Sequence, residues 1–419
     1  MSPLAFLKLK PQQLMTSTSL FVVGVRQMLI SIAYIILFGL VGSLIFKKLN
    51  LPPLIGMLIA GILIGPNFLN LLDTSLLEIS SSIRKVALII ILTRAGLGLD
   101  LDSLKRNGRP ALLLSFIPAT FELIAITIFA PMFFNITYLE AAILGTVLAA
   151  VSPAVIVPRM LKLKEQGYKD IPEMILAGAS IDDIYVIVLF TTFTGLALGN
   201  DVSILAYINI PISIILGIIV GIISALILNQ LFKHLELVSV MKVFVVLAFS
   251  FILVSIEDGL NTLITFSSLI SIMTIGITLS KINRELTKEL SNIYAKLWII
   301  GEIFLFVLVG AIVNLKYAYN IGILALLIII IGLLFRMCGT FTCLLKTKFN
   351  HKERLFCMMA YLPKATVQAS IGPLALAMGL SSGELVLSFA VLSIIFTAPL
   401  GAILIDKTYQ KLLTKDTNN

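Results

Sequence analysis

Thr146-Val-Leu-Ala-Ala-Val-Ser-Pro-Ala-Val-Ile-Val-Pro158 sets two prolines, Pro153 and Pro158, inside an apolar stretch, 139–160, that is otherwise long enough for one membrane-crossing helix. Proline removes a backbone donor and clashes with the preceding turn, so the stretch is expected to unwind near its middle. The pattern returns in 353–379, where Tyr361-Leu-Pro-Lys-Ala-Thr-Val-Gln-Ala-Ser-Ile-Gly-Pro373 again holds paired prolines, Pro363 and Pro373. Unwound backbone at membrane depth is tolerated only where it is buried in protein or lines a cavity. There, half-helix ends and free carbonyls are able to coordinate ions.

The rest of the chain supports a membrane setting. It is 59% hydrophobic and 13% charged, with a mean hydropathy of +1.07, which excludes an ordinary soluble domain of this length. The reading is an all-α polytopic membrane protein with about thirteen transmembrane segments, at 24–47, 52–71, 83–99, 109–133, 139–160, 172–199, 203–232, 241–257, 260–279, 293–314, 321–345, 353–379 and 383–405. Lys and Arg concentrate on one side of that arrangement, as with Lys105, Arg106, Arg109, Arg159, Lys162, Lys164, Lys169, Lys346, Lys348, Lys352 and Arg354. Only Lys8, Lys10, Arg26, Arg84, Lys85 and Lys316 fall on the other side, and Arg94, Arg336 and Lys364 lie within segments. Cytoplasmic loops hold the basic excess, so the N-terminus is expected outside and the C-terminus inside. The net charge of +9 is explained by this asymmetry, and no nucleic-acid role is implied. The first residues lack the pattern of a cleavable signal, and the last segment ends close enough to residue 419 that no regulatory domain is expected beyond it. Cys338, Cys343 and Cys357 show no metal spacing, and His234 and His351 sit beside lysines as solvated surface residues.

The two interrupted segments occupy matching places in two triplets, 109–133, 139–160, 172–199 and 321–345, 353–379, 383–405. The first triplet starts inside and the second outside, which is the signature of an inverted-repeat transporter. Glu122 lies 30 residues before Ser152, and Arg336 lies 28 residues before Lys364. Opposite charges at equivalent positions are expected to meet across the pseudo-twofold axis, because a buried charge needs a partner.

Asp182 and Asp183 fall inside 172–199, which is otherwise apolar. A carboxylate near the bilayer centre costs about 2.5–3.5 kcal/mol by insertion scales, so an adjacent pair points to an ion or proton site. The alternative is that Ser180 caps a helix at the membrane surface, with both acids in its first turn. Hard oxygen ligands suit Na⁺ or Li⁺: Asp183, aided by Asp182 and by hydroxyls or carbonyls around Thr146, Ser152 and Ser180, is the candidate metal-ion site. The same carboxylates bind protons, so proton and cation compete for one site and exchange follows without a separate proton path. The aspartates would titrate as a coupled pair. Arginine does not deprotonate, which makes Glu122–Arg336 a structural ion pair, whereas Lys364 is able to exchange protons and is the candidate coupling base. Glu302 reads either as a cavity residue or as a packing acid. Arg94 reads as an anchor at a helix end, and Glu257 and Asp258 as an outer turn.

Leu92-Thr-Arg-Ala-Gly-Leu-Gly-Leu-Asp100, Ala150-Val-Ser-Pro-Ala-Val-Ile-Val-Pro158, Ala179-Ser-Ile-Asp-Asp-Ile184 and the 361–372 stretch together resemble the sodium/proton antiporters of the cation:proton antiporter-2 group, nearest its NHA branch. Leu51-Pro-Pro-Leu-Ile-Gly-Met-Leu-Ile-Ala-Gly-Ile-Leu-Ile-Gly-Pro66 fits the wider superfamily. The resemblance implies the sodium/proton antiporter fold with crossed broken helices, in a homodimer embedded among membrane lipids. Segments 24–99 and 203–279 would form a fixed dimerisation scaffold, 293–314 a linking helix, and 109–199 with 321–405 a core that slides as an elevator. It implies Asp183 as the carrier of Na⁺, Li⁺ or H⁺, with no enzymatic activity and no cofactor; the absence of targeting segments favours a plasma (inner) membrane location. Relatives with two aspartates and a buried base are often electrogenic; this chain has two bases, Lys364 and Arg336. The competing readings are a K⁺/H⁺ antiporter and a sodium-coupled organic-anion symporter, which would need a larger substrate cavity.

Overall fold

The computed structural model describes residues 11–99, 101–168, 170–198, 204–259 and 266–414, with the side chains of 11–24, 101–107, Ser180, 204–211 and Asp258 outside the description. Lys8, Lys10, Lys105, Arg106 and Lys169 of the charge asymmetry, and Asp100 of the quoted motifs, therefore lie outside the described residues or side chains. Sixteen helices make up the described chain: α1 (Pro11–Lys48), α2 (Pro53–Ile64), α3 (Thr74–Gly98), α4 (Leu101–Leu114), α5 (Ile117–Phe133), α6 (Tyr138–Ala149), α7 (Pro153–Glu165), α8 (Asp170–Leu198), α9 (Ile204–His234), α10 (Ser239–Gly259), α11 (Ser268–Ile282), α12 (Arg284–Ile312), α13 (Leu315–Cys343), α14 (His351–Ala360), α15 (Thr366–Ala377) and α16 (Gly383–Leu412).

Both proline-bearing segments are interrupted as expected, 139–160 into α6 and α7 and 353–379 into α14 and α15. The break falls at the first proline of each pair. Pro153 opens α7, where its missing N–H is one that a first turn leaves unbonded, and Pro363 lies in the unwound 361–365. Pro158 and Pro373 sit within α7 and α15 instead. Segment 109–133 divides too, between α4 and α5 at Ser115 and Phe116, a break not anticipated from its composition. Among the described residues nine helical stretches are long and apolar enough to cross a membrane unaided; α2, α11 and α15 are apolar but shorter.

The two halves use the same local devices. Thr137 and Glu140 close a capping box at the start of α6, and Asn350 and Glu353 close another at the start of α14. Each therefore begins the first half of an interrupted helix. The equivalence extends to packing, since α2 lies against α12 as α11 lies against α3. Glycines make both seams: a methyl on Gly61 would strike the Val307 carbonyl and one on Gly310 the Leu58 carbonyl, while Gly96 and Gly276 meet each other and the Met273 carbonyl. Small residues let membrane helices approach backbone to backbone. This pairing sets α12 against α2 as α3 is set against α11.

One hydrophobic cluster runs through α2, α3, α11 and α12. A second fills the space between α5, α6, α13, α15 and α16, and a third seals the ends of α4, α7, α8 and α14 that carry the basic loops. The two breaks lie inside this second group of helices.

Candidate functional site

The breaks meet. The Ser152 amide donates to the Pro363 carbonyl at 2.8 Å, and Gln368 Nε2 donates to the Ala150 carbonyl at 2.9 Å. Lys364 N, within the other break, donates to Thr397 Oγ1 on α16 at 2.9 Å. Backbone groups freed by unwinding in a membrane must find partners inside the protein, and these bonds supply several of them.

Arg336, fully buried on α13, supplies more. Its Nε donates to the Tyr361 carbonyl at 2.5 Å and its Nη1 donates to the Ala149 carbonyl, so one guanidinium serves the C-terminal ends of both α6 and α14. Those ends carry the negative pole of each half-helix, which a fixed cation offsets. The same side chain reaches Glu122 Oε2 at 3.1 Å and Asp182 Oδ2 at 3.0 Å, and packs over the Tyr361 ring at 5.7 Å. Lys364 Nζ donates to Glu122 Oε2 at 2.7 Å. Thus the sequence-expected pair Glu122 and Arg336 is in contact, and Lys364 joins it through Glu122 rather than through an aspartate. Gly332 on α13 leaves the room for Glu122, whose Cγ lies 3.3 Å from where a methyl would stand.

Helix α8 runs without interruption through residues 170–198, so the aspartates are mid-helix and the surface-cap arrangement is not adopted. Asp182 is fully buried, and its Oδ2 also accepts from the Val151 amide at 2.7 Å. Asp183 is partly accessible and lines a cavity of about 430 Å³ with Pro153, Ala154, Thr366, Arg94, Trp298 and Glu302. The adjacent residues thus face different surroundings, one held by Arg336 and the other turned to the cavity. Asp182 Oδ1, Asp183 Oδ1, Ser152 Oγ and Gln368 Oε1 are buried without a hydrogen-bond partner among the described residues. Oxygens left in that state are costly unless a cation, proton or water satisfies them. Neither α7 nor α15 has a side-chain cap, which leaves their first amides to the crossing.

Thr146 is buried on α6, but its hydroxyl donates to the Ile143 carbonyl of its own helix. Ser180, on α8 one turn before Asp183, has a side chain outside the described residues. Arg94, near the C-terminal end of α3, and Glu302 share the cavity with Asp183. Gln368 and Thr366 were not singled out as site residues, although an amide and a hydroxyl beside the second break were visible in the 361–373 stretch.

Charge bookkeeping follows from the contacts. With all four ionised, Glu122 and Asp182 balance Arg336 and Lys364 in one buried cluster. Asp183 has no base within ion-pair distance among the described residues, so a single monovalent cation or proton would neutralise it.

Two interrupted helices crossing at buried carboxylates, within an inverted repeat, define the fold of a membrane transporter. A family model described as "Sodium/hydrogen exchanger, transmembrane" matches residues 32–408. Sodium/hydrogen exchanger 9B2 of Homo sapiens is 35% identical over 393 residues, covering 87% of this chain and 70% of its own. Sodium/hydrogen exchanger 9B1 of Mus musculus is 35% identical over 384 residues, covering 87% and 66%. The chain belongs to the sodium/hydrogen exchanger family. The structure of the sodium proton antiporter MjNhaP1 from Methanocaldococcus jannaschii at pH 8 superposes with a TM-score of 0.76 at 22% identity, covering 92% of this chain and 99% of that one. The fold is therefore shared with that antiporter.

Proposed function

We propose that this protein exchanges Na⁺ or Li⁺ for protons across a membrane, with Asp183 as the carrier. The observation that carries this reading is the asymmetry of the aspartate pair. Asp182 is held by Arg336 and the Val151 amide, while Asp183 lacks a base and lines the cavity. Asp183 and Asp182, with Ser152, would replace water around the cation, each contributing a buried oxygen that has no other partner. Ser180 belongs to the proposed set by its place on α8. Thr146 acts at one remove, since its hydroxyl is already engaged. A proton satisfies the same carboxylate, so each ion displaces the other.

Lys364 and Arg336 hold Glu122 and Asp182 in a balanced cluster, which gives Lys364 its coupling role through Glu122 and makes Arg336 structural. The cavity beside Asp183 reaches Gly98 at the end of α3 and Pro158 in α7, toward the ends that carry the basic loops. With those loops inside, the N-terminus outside and the C-terminus in the cytoplasm, the site is open to the cytoplasm. Helices of 109–199 and 321–405 would move as an elevator core against a scaffold of 24–99 and 203–279 in a homodimer. The protein works as a multi-pass component of the plasma (inner) membrane with no cofactor beyond the transported ions.

The experiment is proton flux in proteoliposomes holding a pH gradient, challenged in turn with Na⁺, Li⁺, K⁺ and choline. Flux with Na⁺ and Li⁺ but not choline is expected. A response to K⁺ alone would replace this reading with K⁺/H⁺ exchange, and silence with every cation from folded protein would favour a symporter.

A further inference from the structure

A second large cavity, of about 450 Å³, lies between α8, α9 and α11 and has a different chemistry from the ion site. Its origin is a close helix contact. On α9, Gly217 and Gly221 sit against the backbone carbonyls of Ser267 and Ser271 on α11, and Ser271 Oγ bonds the Gly217 carbonyl at 2.9 Å. With the glycine row pressed into α11, the neighbouring row Ile214, Ile218 and Ile222 is left lining a groove opposite Ile184 of α8. The lining is otherwise aliphatic or threonine, with one ionisable group, Lys281, in the last turn of α11. Lys281 is exposed and belongs to the side on which the basic residues concentrate.

The groove backs onto the ion site. Ile187 and Met273 line it and also line the small cavity that contains Asp183 and Thr366. That apolar pair borders both spaces. An apolar space at bilayer depth is filled by hydrocarbon rather than water, and a lysine at its mouth selects a negative headgroup.

We propose that this groove binds an anionic phospholipid of the surrounding bilayer, with one acyl chain lying between α8, α9 and α11 and its phosphate on Lys281. The bound chain packs between the helix that carries the aspartates and two helices outside the crossing, and closes the ion site toward the lipid.

The test is thermal unfolding of the purified, delipidated full chain with dioleoylphosphatidylglycerol, dioleoylphosphatidylcholine or oleate at equal mole ratio. Phosphatidylglycerol is expected to raise Tm by several degrees more than phosphatidylcholine, through ligand binding to the native state alone. Lys281→Gln should abolish that difference, and Ile218→Trp, which fills the groove, should abolish it as well. Lys316→Gln, at the opposite end of the molecule, should retain it. Equal stabilisation by the two phospholipids, or a full difference in Lys281→Gln, would overturn the proposal. So would loss of the difference in Lys316→Gln, which would indicate diffuse attraction, or stabilisation by oleate alone, which would indicate a fatty-acid site. Should Ile218→Trp not fold, Lys281→Gln decides by itself, because its side chain is exposed. The readout does not depend on exchange, so failure here leaves the transport reading standing.

Discussion

The Ser152 amide donates to the Pro363 carbonyl at 2.8 Å, so a main-chain bond joins the two interrupted helices at their breaks. Side chains at that crossing are thereby relieved of part of the satisfaction that unwound backbone demands. Ser152 Oγ, Asp182 Oδ1 and Asp183 Oδ1 have no hydrogen-bond partner among the described residues.

Asp183→Asn should abolish cation-dependent proton flux in proteoliposomes while leaving the melting temperature within a few degrees of wild type. The amide keeps the volume and removes a cavity-lining carboxylate that has no base within ion-pair distance among the described residues. Wild-type flux from the purified variant would sink the carrier assignment.

Arg336→Ala should be among the most damaging single changes. It strands Asp182 and part of the charge on Glu122, and it unsatisfies the Tyr361 and Ala149 carbonyls. Breaking a buried pair by removing one partner costs about 3–5 kcal/mol. Arg336→Lys should rescue little, because a point ammonium cannot reach four acceptors arranged around a fork. Differential scanning fluorimetry in detergent would check both.

Glu122 and Lys364 should couple. In a double-mutant cycle of Glu122→Gln and Lys364→Met, a coupling of about 0.5–3 kcal/mol is expected for groups in direct contact. Lys364→Ala should also alter solid-supported membrane currents across pH. Currents that match wild type at every pH would remove Lys364 from coupling.

Competition at Asp183 sets the direction of the pH effect. Lowering pH on the cytoplasmic side should raise the Na⁺ concentration for half-maximal exchange, and saturating Na⁺ should restore the rate. A maximal rate that falls at low pH with unchanged half-saturation would contradict a shared site.

Gly61→Ala and Gly276→Ala should destabilise by similar amounts, about 1–3 kcal/mol each, because both methyls meet backbone at equivalent seams. Melting temperatures of the two variants would test the symmetry directly. A large loss in one with none in the other would show that the seams are not equivalent.

Much of the fold was legible because its signals are local. Paired prolines mark the two interruptions. The aspartates stood out for the same reason, as charge in apolar sequence. Less legible was the break at Ser115–Phe116. Arg94 and Glu302 were read one at a time, and only the folded chain lines one cavity with them and Asp183.

By itself, then, the sequence determined that this is a helical membrane protein of repeated, opposed halves with buried carboxylates at its centre. Apolar length, proline position and the distribution of Lys and Arg are properties of the chain read residue by residue. Which base meets which acid was decided only by tertiary structure. Lys364 and Arg336 are both buried cations near a break, but the crossing sets Arg336 between Glu122 and Asp182 and gives Lys364 to Glu122 alone. The reason is geometric: a guanidinium presents donors in several directions and can bridge two half-helix ends and two carboxylates at once, and an ammonium cannot.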